Sequence, residues 1–569
     1  MNREPDSRQP IRFTARARAR GRPVDPKTRD GVDRLCAGLD ARRDLLIEHL
    51  HRIQDALGHL PPAHLVALAE RLKLAPVEVF EVATFYHHFD VVGDGEEPPA
   101  PLTVRVCESL ACALAGGEAL LERVRRTTGR DVRVVGAPCV GRCDSAPVAV
   151  VGRRVVGNAD EAGVAAAIAS RRHAAAPVRP IGYAASREAG VYRAYADLTG
   201  GRLRADDVIA ALEASGLRGL GGAGFPAGRK WRSVRAEAAP RYLAINADEG
   251  EPGTFKDRRL LEREPHLALA GALIASAVVG IEAIWIYVRD EYHGAREALA
   301  REVAALVADP PVPGVALPRI ELRRGAGAYI CGEESAMIES IEGKRGLPRL
   351  RPPYVAQRGL FGRPTLEHNL ETLAWIPLIL ARGAEWFAGQ GRRGRKGVRA
   401  WSLSGRIRKP GVVFAPAGVT ARELVDEFGG GMLPGHELYG YLPGGASGGI
   451  LPASLADLPL DFDTLAAHGC FVGSAAMIVL SQHDRAIDAA RNVMRFFRDE
   501  SCGQCTPCRA GTAKAVELME PAAWDRPLLE SLARTMADAS ICGLGQAAPN
   551  PLKSVLANFA HELDRSDRR

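Results

Sequence analysis

Three cysteines at three-residue intervals stand out in the segment ESCGQCTPCRAGT: Cys502, Cys505 and Cys508. A loop with C-x2-C-x2-C spacing can bring three thiolates to one cube-shaped iron–sulfur cluster, and it leaves the fourth iron to a distant ligand. Cys542 in the segment ICGLG is the candidate for that ligand, because glycines beside it let the backbone approach closely. The spacing therefore predicts a 4Fe–4S cluster, with a structural zinc site as the alternative.

A second set of cysteines forms two pairs: Cys107 with Cys112 (C-x4-C) and Cys139 with Cys143 (C-x3-C). Each pair follows a predicted strand, so loops from neighbouring strands can bring the pairs together. Four thiolates in two pairs suit a 2Fe–2S cluster, with two ligands for each iron. Zinc is again the alternative. The remaining cysteines are single and are predicted to be buried packing residues: Cys36, Cys331 and Cys470.

A glycine-rich segment, GLRGLGGAGFPAGRKW, contains a formal G-x-G-x-x-G at Gly219, Gly221 and Gly224. A Rossmann fingerprint requires a strand before these glycines, and here a helix-like stretch precedes them. With Arg229 and Lys230 the segment still makes an open, cationic loop that suits phosphate groups. A glycine-rich turn without a ligand is the alternative.

Acidic and amide side chains follow the predicted strand YLAIN. Ligands of open α/β sheets bind at the carboxyl ends of the strands, where these side chains lie. They are Asn246, Asp248, Glu249 and Glu251. A third cluster lies between a predicted strand and helix and comprises Gly332, Glu333 and Glu334. Such acids can also be ordinary helix N-caps. Three clusters and two iron–sulfur sites in one chain favour a redox cofactor.

The chain of 569 residues is too long for one hydrophobic core, so several domains are expected. Most of the net charge of +7 comes from residues 1–30, and the folded part shows no basic face with aromatic residues, so no nucleic-acid binding is expected. The apolar run at 267–288 is predicted to be a buried helix and strand, with no membrane span. No apolar signal peptide opens the sequence, and a cytoplasmic protein is expected.

The order of predicted elements indicates an α/β multidomain protein. The predicted parts are a disordered basic arm (1–35), a helical segment with a thioredoxin-like 2Fe–2S domain (36–175), a linker (176–199), an α/β nucleotide-binding domain (200–395), a small α+β module (396–474) and a helical domain with the 4Fe–4S cysteines (475–569).

The motifs together resemble those of a known family. They are RGLGGAGFPAGRKW, NADEGEPGTFKD, GAGAYICGEESA, RPTLEHNLET and ESCGQCTPCRAGT with ICGLG. The chain resembles a fusion of two subunits of the NADH-oxidising module of respiratory complex I. Residues 40–172 are similar to the smaller 2Fe–2S subunit of that module, and residues 200–560 are similar to its larger, flavin-binding subunit. Beta subunits of soluble NAD-dependent formate dehydrogenases can carry this fusion, and NAD-reducing hydrogenases have a related chain.

The resemblance implies FMN and NAD in one cavity of the 200–395 domain and a ubiquitin-like (SLBB-like) fold for the α+β module. It implies that NAD stacks on Phe225 and that Glu251, the candidate catalytic residue, lies close to the nicotinamide. The cofactor-binding residues that it implies are Gly219, Gly221, Gly222, Phe225, Lys230, Asn246, Asp248, Glu249, Glu251, Tyr329, Gly332, Glu333, Glu334, Asn369 and Thr372. The sequence departs from the family at His368, where asparagine is usual, and at Arg351 and Tyr354, where lysine and phenylalanine are usual.

The implied function is that of a diaphorase, which passes electrons between NAD(H), FMN and iron–sulfur clusters. Because the thioredoxin-like part keeps all four cysteines, the predicted assembly is a molybdenum-dependent formate dehydrogenase. The partner would then be a catalytic subunit with the molybdenum cofactor and further iron–sulfur clusters. An NAD-reducing hydrogenase and a fused complex I module are the alternatives within the family, and a non-catalytic zinc scaffold is the alternative outside it.

Overall fold

The N-terminal part of the chain is a cluster of helices. A computed structural model describes residues 23–521 and 523–564. The helices are α1 (Pro26–Leu35), α2 (Leu46–Leu57), α3 (Pro62–Leu72) and α4 (Pro76–Ala83). The predicted disordered arm is wrong over α1, where Asp25 caps the helix and a proline occupies its first turn. The rest of the predicted arm, residues 1–22, lies outside the described residues.

The predicted thioredoxin-like region is a four-stranded sheet with helices. Its elements are β1 (Leu102–Cys107), α5 (Leu110–Leu114), α6 (Gly117–Thr127), β2 (Val132–Ala137), β3 (Ala149–Val151), β4 (Arg154–Val156) and α7 (Glu161–Ala169). The strand order is β2-β1-β3-β4, with β1 parallel to β2 and antiparallel to β3. The loops after β1 and β2 therefore lie side by side at one edge of the sheet, and these loops carry the two cysteine pairs.

The α/β domain has a parallel four-stranded sheet. Its elements are α8 (Tyr183–Glu188), α9 (Arg193–Thr199), α10 (Ala205–Ser215), α11 (Ala227–Arg235), β5 (Arg241–Ala247), α12 (Lys256–Arg263), α13 (Pro265–Val279), β6 (Ile281–Val288), α14 (His293–Ala308), β7 (Arg319–Arg324), α15 (Glu334–Ile341), β8 (Thr365–Asn369), α16 (Leu370–Arg382) and α17 (Ala384–Ala388). The strand order is β7-β6-β5-β8. As predicted, the apolar run at 267–288 is a buried helix followed by a strand.

The predicted linker at 176–199 is different in the structure, because α8 and α9 occupy most of it. Tyr183, Tyr192 and Tyr195 from this segment are buried in the core of the α/β domain. The tyrosine hydroxyls keep hydrogen bonds inside: Tyr192 bonds His266, and Tyr183 donates to the carbonyl of Asp309. Burial of aromatic area with satisfied hydroxyls makes this segment part of the domain.

The α+β module has a mixed five-stranded sheet of order β10-β9-β13-β11-β12. Its elements are β9 (Val398–Gly405), β10 (Gly411–Pro416), α18 (Ala421–Glu423), β11 (Leu438–Leu442), β12 (Leu451–Pro452) and β13 (Ala476–Ser481). The predicted boundary at 474 is wrong, because the central strand β13 lies beyond it. All six residues of β13 are buried, and a short run without alternation does not identify a strand.

The C-terminal domain is helical, as predicted. Its helices are α19 (Ala486–Asp499), α20 (Thr506–Met519), α21 (Arg526–Ala539), α22 (Gly543–Ala547), α23 (Asn550–Asn558) and α24 (Ala560–Asp564). Within residues 23–521 and 523–564, no helix is both long and apolar enough to cross a membrane.

Candidate functional site

A cavity of about 1000 Å³ opens at the carboxyl ends of β5 and β8. This volume suits a nucleotide cofactor, and the position is where ligands of open α/β sheets bind. Of the predicted cofactor-binding residues, the cavity is lined by Gly219, Gly221, Gly222, Phe225, Lys230, Asn246, Asp248, Glu249, Glu251, Tyr329, Gly332, Glu333, Glu334 and Asn369. Residues more than a hundred positions apart in the sequence therefore meet in one site.

The glycine-rich loop forms one wall of the cavity and is held from behind by α16. The hydroxyl of Thr372 accepts a hydrogen bond of 2.9 Å from the amide of Leu220. Thr372 thus lies outside the lining and supports the loop. Gly224 has a φ of +65°, and a Cβ atom there would clash with the ring of Phe462. The loop therefore requires glycine both for its backbone conformation and for its contact with the α+β module.

Asn246 and Asp248 follow β5 and face different tasks. The side-chain amide of Asn246 donates to the carbonyl of Gly332 at 2.9 Å, which joins two cavity loops. Asp248 is enclosed, and burial raises its pKa to about 8. Its Oδ2 has no hydrogen-bond partner among the described residues. A buried carboxyl oxygen that lines a cavity without a partner indicates that a ligand donates to it.

Glu249 uses its carboxylate as a structural link. The carboxylate accepts hydrogen bonds from the backbone amides of Asp257 and Arg258 at the start of α12, and from the hydroxyl of Tyr292. Burial raises the pKa of Glu249 to about 7. Glu333 likewise caps α15 through the amides of Ser335 and Ala336. For these two acids, helix capping, the alternative raised by the sequence, is what the structure shows.

Glu251 is half-buried in the cavity and is held by two partners. The hydroxyl of Tyr329 donates to one carboxylate oxygen. The amide and hydroxyl of Ser447 donate to the other at 2.7 and 2.8 Å. Burial raises the pKa of Glu251 above its ordinary value. The candidate catalytic carboxylate is therefore fixed in orientation by a side chain from the α+β module, which the sequence did not identify.

Lys230 is a cation among carboxylates. Its ammonium lies 2.8 Å from Glu367 and 3.9 Å from Glu334, and these acids raise its pKa although burial opposes them. Arg351 in turn contacts Glu333 and Glu334. The side chain of Tyr354 is 55% exposed at the mouth of the cavity. The two departures from the family pattern at Arg351 and Tyr354 thus lie at the rim.

The floor of the cavity contains residues that the sequence analysis missed. Lys256 is 1% exposed, and its ammonium lies 2.8 Å from Asp257, 3.0 Å from Glu371 and 3.2 Å from the side-chain oxygen of Asn369. The same oxygen of Asn369 caps α16. The Lys-Asp pair in the motif NADEGEPGTFKD was the available signal.

His368 also lines the cavity beside this floor. Its Nε2 accepts a hydrogen bond of 2.8 Å from the indole of Trp231, so the proton of the neutral imidazole lies on Nδ1. Burial lowers the pKa of His368 well below its ordinary value, which keeps the ring neutral. The departure from asparagine thus still offers one neutral hydrogen-bond donor.

The cavity fits a flavin nucleotide. Gly221 allows close approach of the loop to Asn369, since a Cβ atom on Gly221 would lie 3.0 Å from that side chain. Asp248 supplies an unpartnered oxygen, and the glycine loop supplies open backbone near Lys230. These are the groups that a ring system and a phosphate require.

The four cysteines of the thioredoxin-like domain converge and are buried. The sulfur atoms of Cys139 and Cys143 lie 3.4 Å apart. Hydrogen bonds from the thiols of Cys107 and Cys143 lower the pKa of Cys139, whereas hydrogen bonding within the set raises the pKa of Cys107 and Cys143. Four buried sulfurs that compete for one negative charge are a donor set suited to metal.

The C-terminal cysteines also lie close together. Cys505 precedes α20, Cys508 lies in its first turn, and Cys542 precedes α22. A Cβ atom on Gly545 would lie 2.9 Å from the Cβ atom of Cys508, so a glycine is required where α22 meets α20. Burial raises the pKa of Cys508 to about 11 and that of Cys542 to about 12. Buried thiols of this kind are deprotonated when a metal binds them.

Three sequence-family models match the chain. The Nuo51 FMN-binding domain matches residues 212–378. The thioredoxin-like 2Fe–2S ferredoxin family matches residues 32–172, and the iron–sulfur binding region of NADH-ubiquinone oxidoreductase-F matches residues 488–566. The last two ranges contain the two sets of four cysteines. The matches confirm the predicted fold class and the predicted FMN, 2Fe–2S and 4Fe–4S cofactors.

Known proteins are similar over long stretches. The F 2 polypeptide of NADH-quinone oxidoreductase from Rhizobium meliloti is 40% identical over 387 residues, which is 66% of this chain and 91% of the relative. Mitochondrial NADH dehydrogenase flavoprotein 1 from Dictyostelium discoideum is 40% identical over 63% of this chain and 78% of its own. A crystal structure of an NAD+-reducing NiFe hydrogenase in the air-oxidised state superposes with a TM-score of 0.79 at 30% identity and covers 92% of this chain and 93% of its own.

Proposed function

The chain belongs to the family of flavin-binding F polypeptides of NADH-quinone oxidoreductase, with a thioredoxin-like 2Fe–2S domain on the same chain, and we propose that it is the NAD(H)-reacting subunit of a larger enzyme. As a flavin and iron–sulfur NAD-dependent oxidoreductase subunit, it would exchange electrons between NAD(H) and a partner. When bound, FMN converts the two-electron chemistry of a nicotinamide into the one-electron chemistry of iron–sulfur clusters.

One observation carries this proposal: a single short helix links the cavity to a cysteine site. Cys542 precedes α22, and the next residues, Gly543 and Leu544, line the cavity. A cluster held by Cys502, Cys505, Cys508 and Cys542 would therefore lie beside the cofactor. We propose these four as the 4Fe–4S ligands, and Cys107, Cys112, Cys139 and Cys143 as the 2Fe–2S ligands.

The cavity residues have distinct proposed tasks. The glycine-rich loop, Asn246, Asp248 and Asn369 hold the flavin, with Lys256 fixing Asn369 from below. Phe225 is 47% exposed at the cavity, so its ring is free to stack on a nicotinamide. Glu251 positions the nicotinamide, since Tyr329 and Ser447 leave its carboxylate only one orientation.

Glu251→Gln is expected to weaken NADH use without loss of FMN. The amide places an N–H group against Tyr329 or Ser447, where both oxygens now accept. A charged hydrogen-bond acceptor contributes about 1.5–3 kcal/mol, so kcat/KM for NADH should fall by roughly ten- to a hundredfold. The measurement is steady-state ferricyanide reduction together with FMN content. Glu237→Gln removes another cavity carboxylate and serves as the control. Loss of FMN from Glu251→Gln would reassign the residue to the flavin.

For the primary substrate of the complete enzyme we propose formate, with a molybdenum-bearing partner subunit. The support is that the thioredoxin-like domain keeps all four cysteines and that no cysteine set remains in the chain for activating formate or hydrogen. Hydrogen is the second candidate. It is favoured by the similarity to one chain of an NAD+-reducing hydrogenase, which extends over 92% of this chain.

The native complex distinguishes these candidates. Purified through a tag on this chain, it is expected to contain molybdenum and to reduce NAD with formate, while the chain alone reduces ferricyanide with NADH and is inert to formate. Nickel in the complex with NAD reduction by hydrogen would replace formate with hydrogen. Formate oxidation by the single chain would contradict the proposal of a separate catalytic subunit.

A further inference from the structure

Two arginines of the α/β domain reach into the loop that carries Cys139 and Cys143. Arg289 donates to the carbonyl of Cys139 at 2.7 Å, and Arg258 donates to the carbonyl of Gly141 at 2.8 Å. Both arginines are 4% exposed. The ligand loop of one domain is therefore held by buried cations from another domain.

Arg289 also reaches the cofactor cavity. Its second guanidinium nitrogen donates to the backbone carbonyl of Glu249, a residue that lines the cavity. One planar guanidinium thus joins a backbone carbonyl of the cavity to the backbone carbonyl of a cluster cysteine. Lysine cannot reproduce this, because a single ammonium lacks two donors in a fixed fork.

The charge of Arg289 is only partly offset nearby. Glu291 pairs with it at 2.9 Å and has a side chain that is 26% exposed, whereas the guanidinium side chain is 5% exposed. Solvent therefore screens the carboxylate more than the cation. At a buried position a unit charge acts over several ångströms with less screening than in water.

We propose that Arg289 is a positioning residue that sets the reduction potential of the 2Fe–2S cluster and fixes that cluster relative to the cofactor cavity. This inference rests on the proposed function. When the cluster takes one electron, its net charge becomes more negative by one unit, and a buried cation beside Cys139 stabilises that reduced form. The electron comes from NADH through the flavin, so the inference requires no further reductant.

The test is a redox titration of the full chain with both clusters assembled, followed by electron paramagnetic resonance. In Arg289→Gln the equilibrium for reducing the 2Fe–2S cluster should shift about tenfold against reduction, which is about 59 mV to more negative potential for a one-electron couple. The 4Fe–4S cluster of the same chain is the internal reference and should not move. Arg301→Gln removes an exposed arginine that bonds the carbonyl of Val178 and should move neither cluster.

Arg289→Lys keeps the charge and loses one of the two carbonyl bonds, so a smaller negative shift is expected. It also supplies the test if Arg289→Gln does not accumulate as folded protein. An unchanged 2Fe–2S potential in the variant that folds would overturn the inference. Absence of any 2Fe–2S signal from the unmodified chain would instead contradict the proposed function, so the two failures are distinguishable.

Discussion

Replacing Cys542 with alanine is expected to remove the 4Fe–4S cluster and to leave the 2Fe–2S cluster and FMN in place. Cys542 precedes the short helix α22, whose Gly545 packs against Cys508, so no other described cysteine lies where a fourth ligand is needed. The loss should be complete for that cluster, since three thiolates leave one iron without a protein ligand. Iron per chain, the cluster spectrum and FMN content measure it.

The matched control for this prediction is Cys470→Ala. Cys470 is 3% exposed and lies in the core of the α+β module, so its loss removes a buried thiol without touching either cysteine set. Iron content should then equal that of the unmodified chain. If Cys542→Ala retained all its iron and an unchanged cluster spectrum, the assignment of the fourth ligand would be rejected.

Replacing Lys256 with methionine is expected to lower the free energy of unfolding by about 3–5 kcal/mol and to weaken FMN binding. The ammonium is the cation shared by Asp257 and Glu371, which are 3% and 1% exposed. Its removal leaves two buried carboxylates without a counter-charge. The side-chain oxygen of Asn369 loses the same partner, and this residue lines the cavity.

Chemical unfolding and FMN affinity are the two measurements for Lys256→Met. Lys553→Met, which replaces an exposed lysine on α23, is the control and should change the free energy of unfolding by less than about 0.5 kcal/mol. An unfolding free energy unchanged by Lys256→Met would contradict the assigned charge network.

The cluster sites could be predicted from the sequence because their chemistry is local. Ligand spacing within ESCGQCTPCRAGT requires only a short loop and one helical turn, whatever the rest of the fold. The carboxyl-end position of Asn246, Asp248 and Glu251 also followed, because a strand followed by acids points to one edge of a sheet. The structure adds that Cys542 and the cavity share α22.

The differences between prediction and structure have physical causes. The strand β13 was missed because its six residues are all buried, and periodicity cannot separate such a run from a helix. The segment of α8 and α9 was predicted to be a linker, since its tyrosines are buried only through contacts with a distant part of the chain. Glu333 was predicted to bind FMN, and its carboxylate caps α15.

Long-range polar contacts were beyond reach of the sequence. Ser447 meets Glu251 from a position 196 residues away, and Arg289 meets Cys139 from 150 residues away. No spacing rule connects such residues, because the fold alone brings their elements together. The two contacts that orient the candidate catalytic carboxylate and the cysteine loop are therefore findings of the structure.

The central claim is that this chain carries electrons from a nicotinamide through FMN to iron–sulfur clusters. An anaerobic titration of the purified chain with NADH, followed by optical absorbance and electron paramagnetic resonance, tests it most directly. The expected result is that NADH bleaches the flavin absorbance and that the signal of the reduced 4Fe–4S cluster appears. A colourless chain that holds zinc at its cysteines, contains no flavin and does not respond to NADH would contradict the claim.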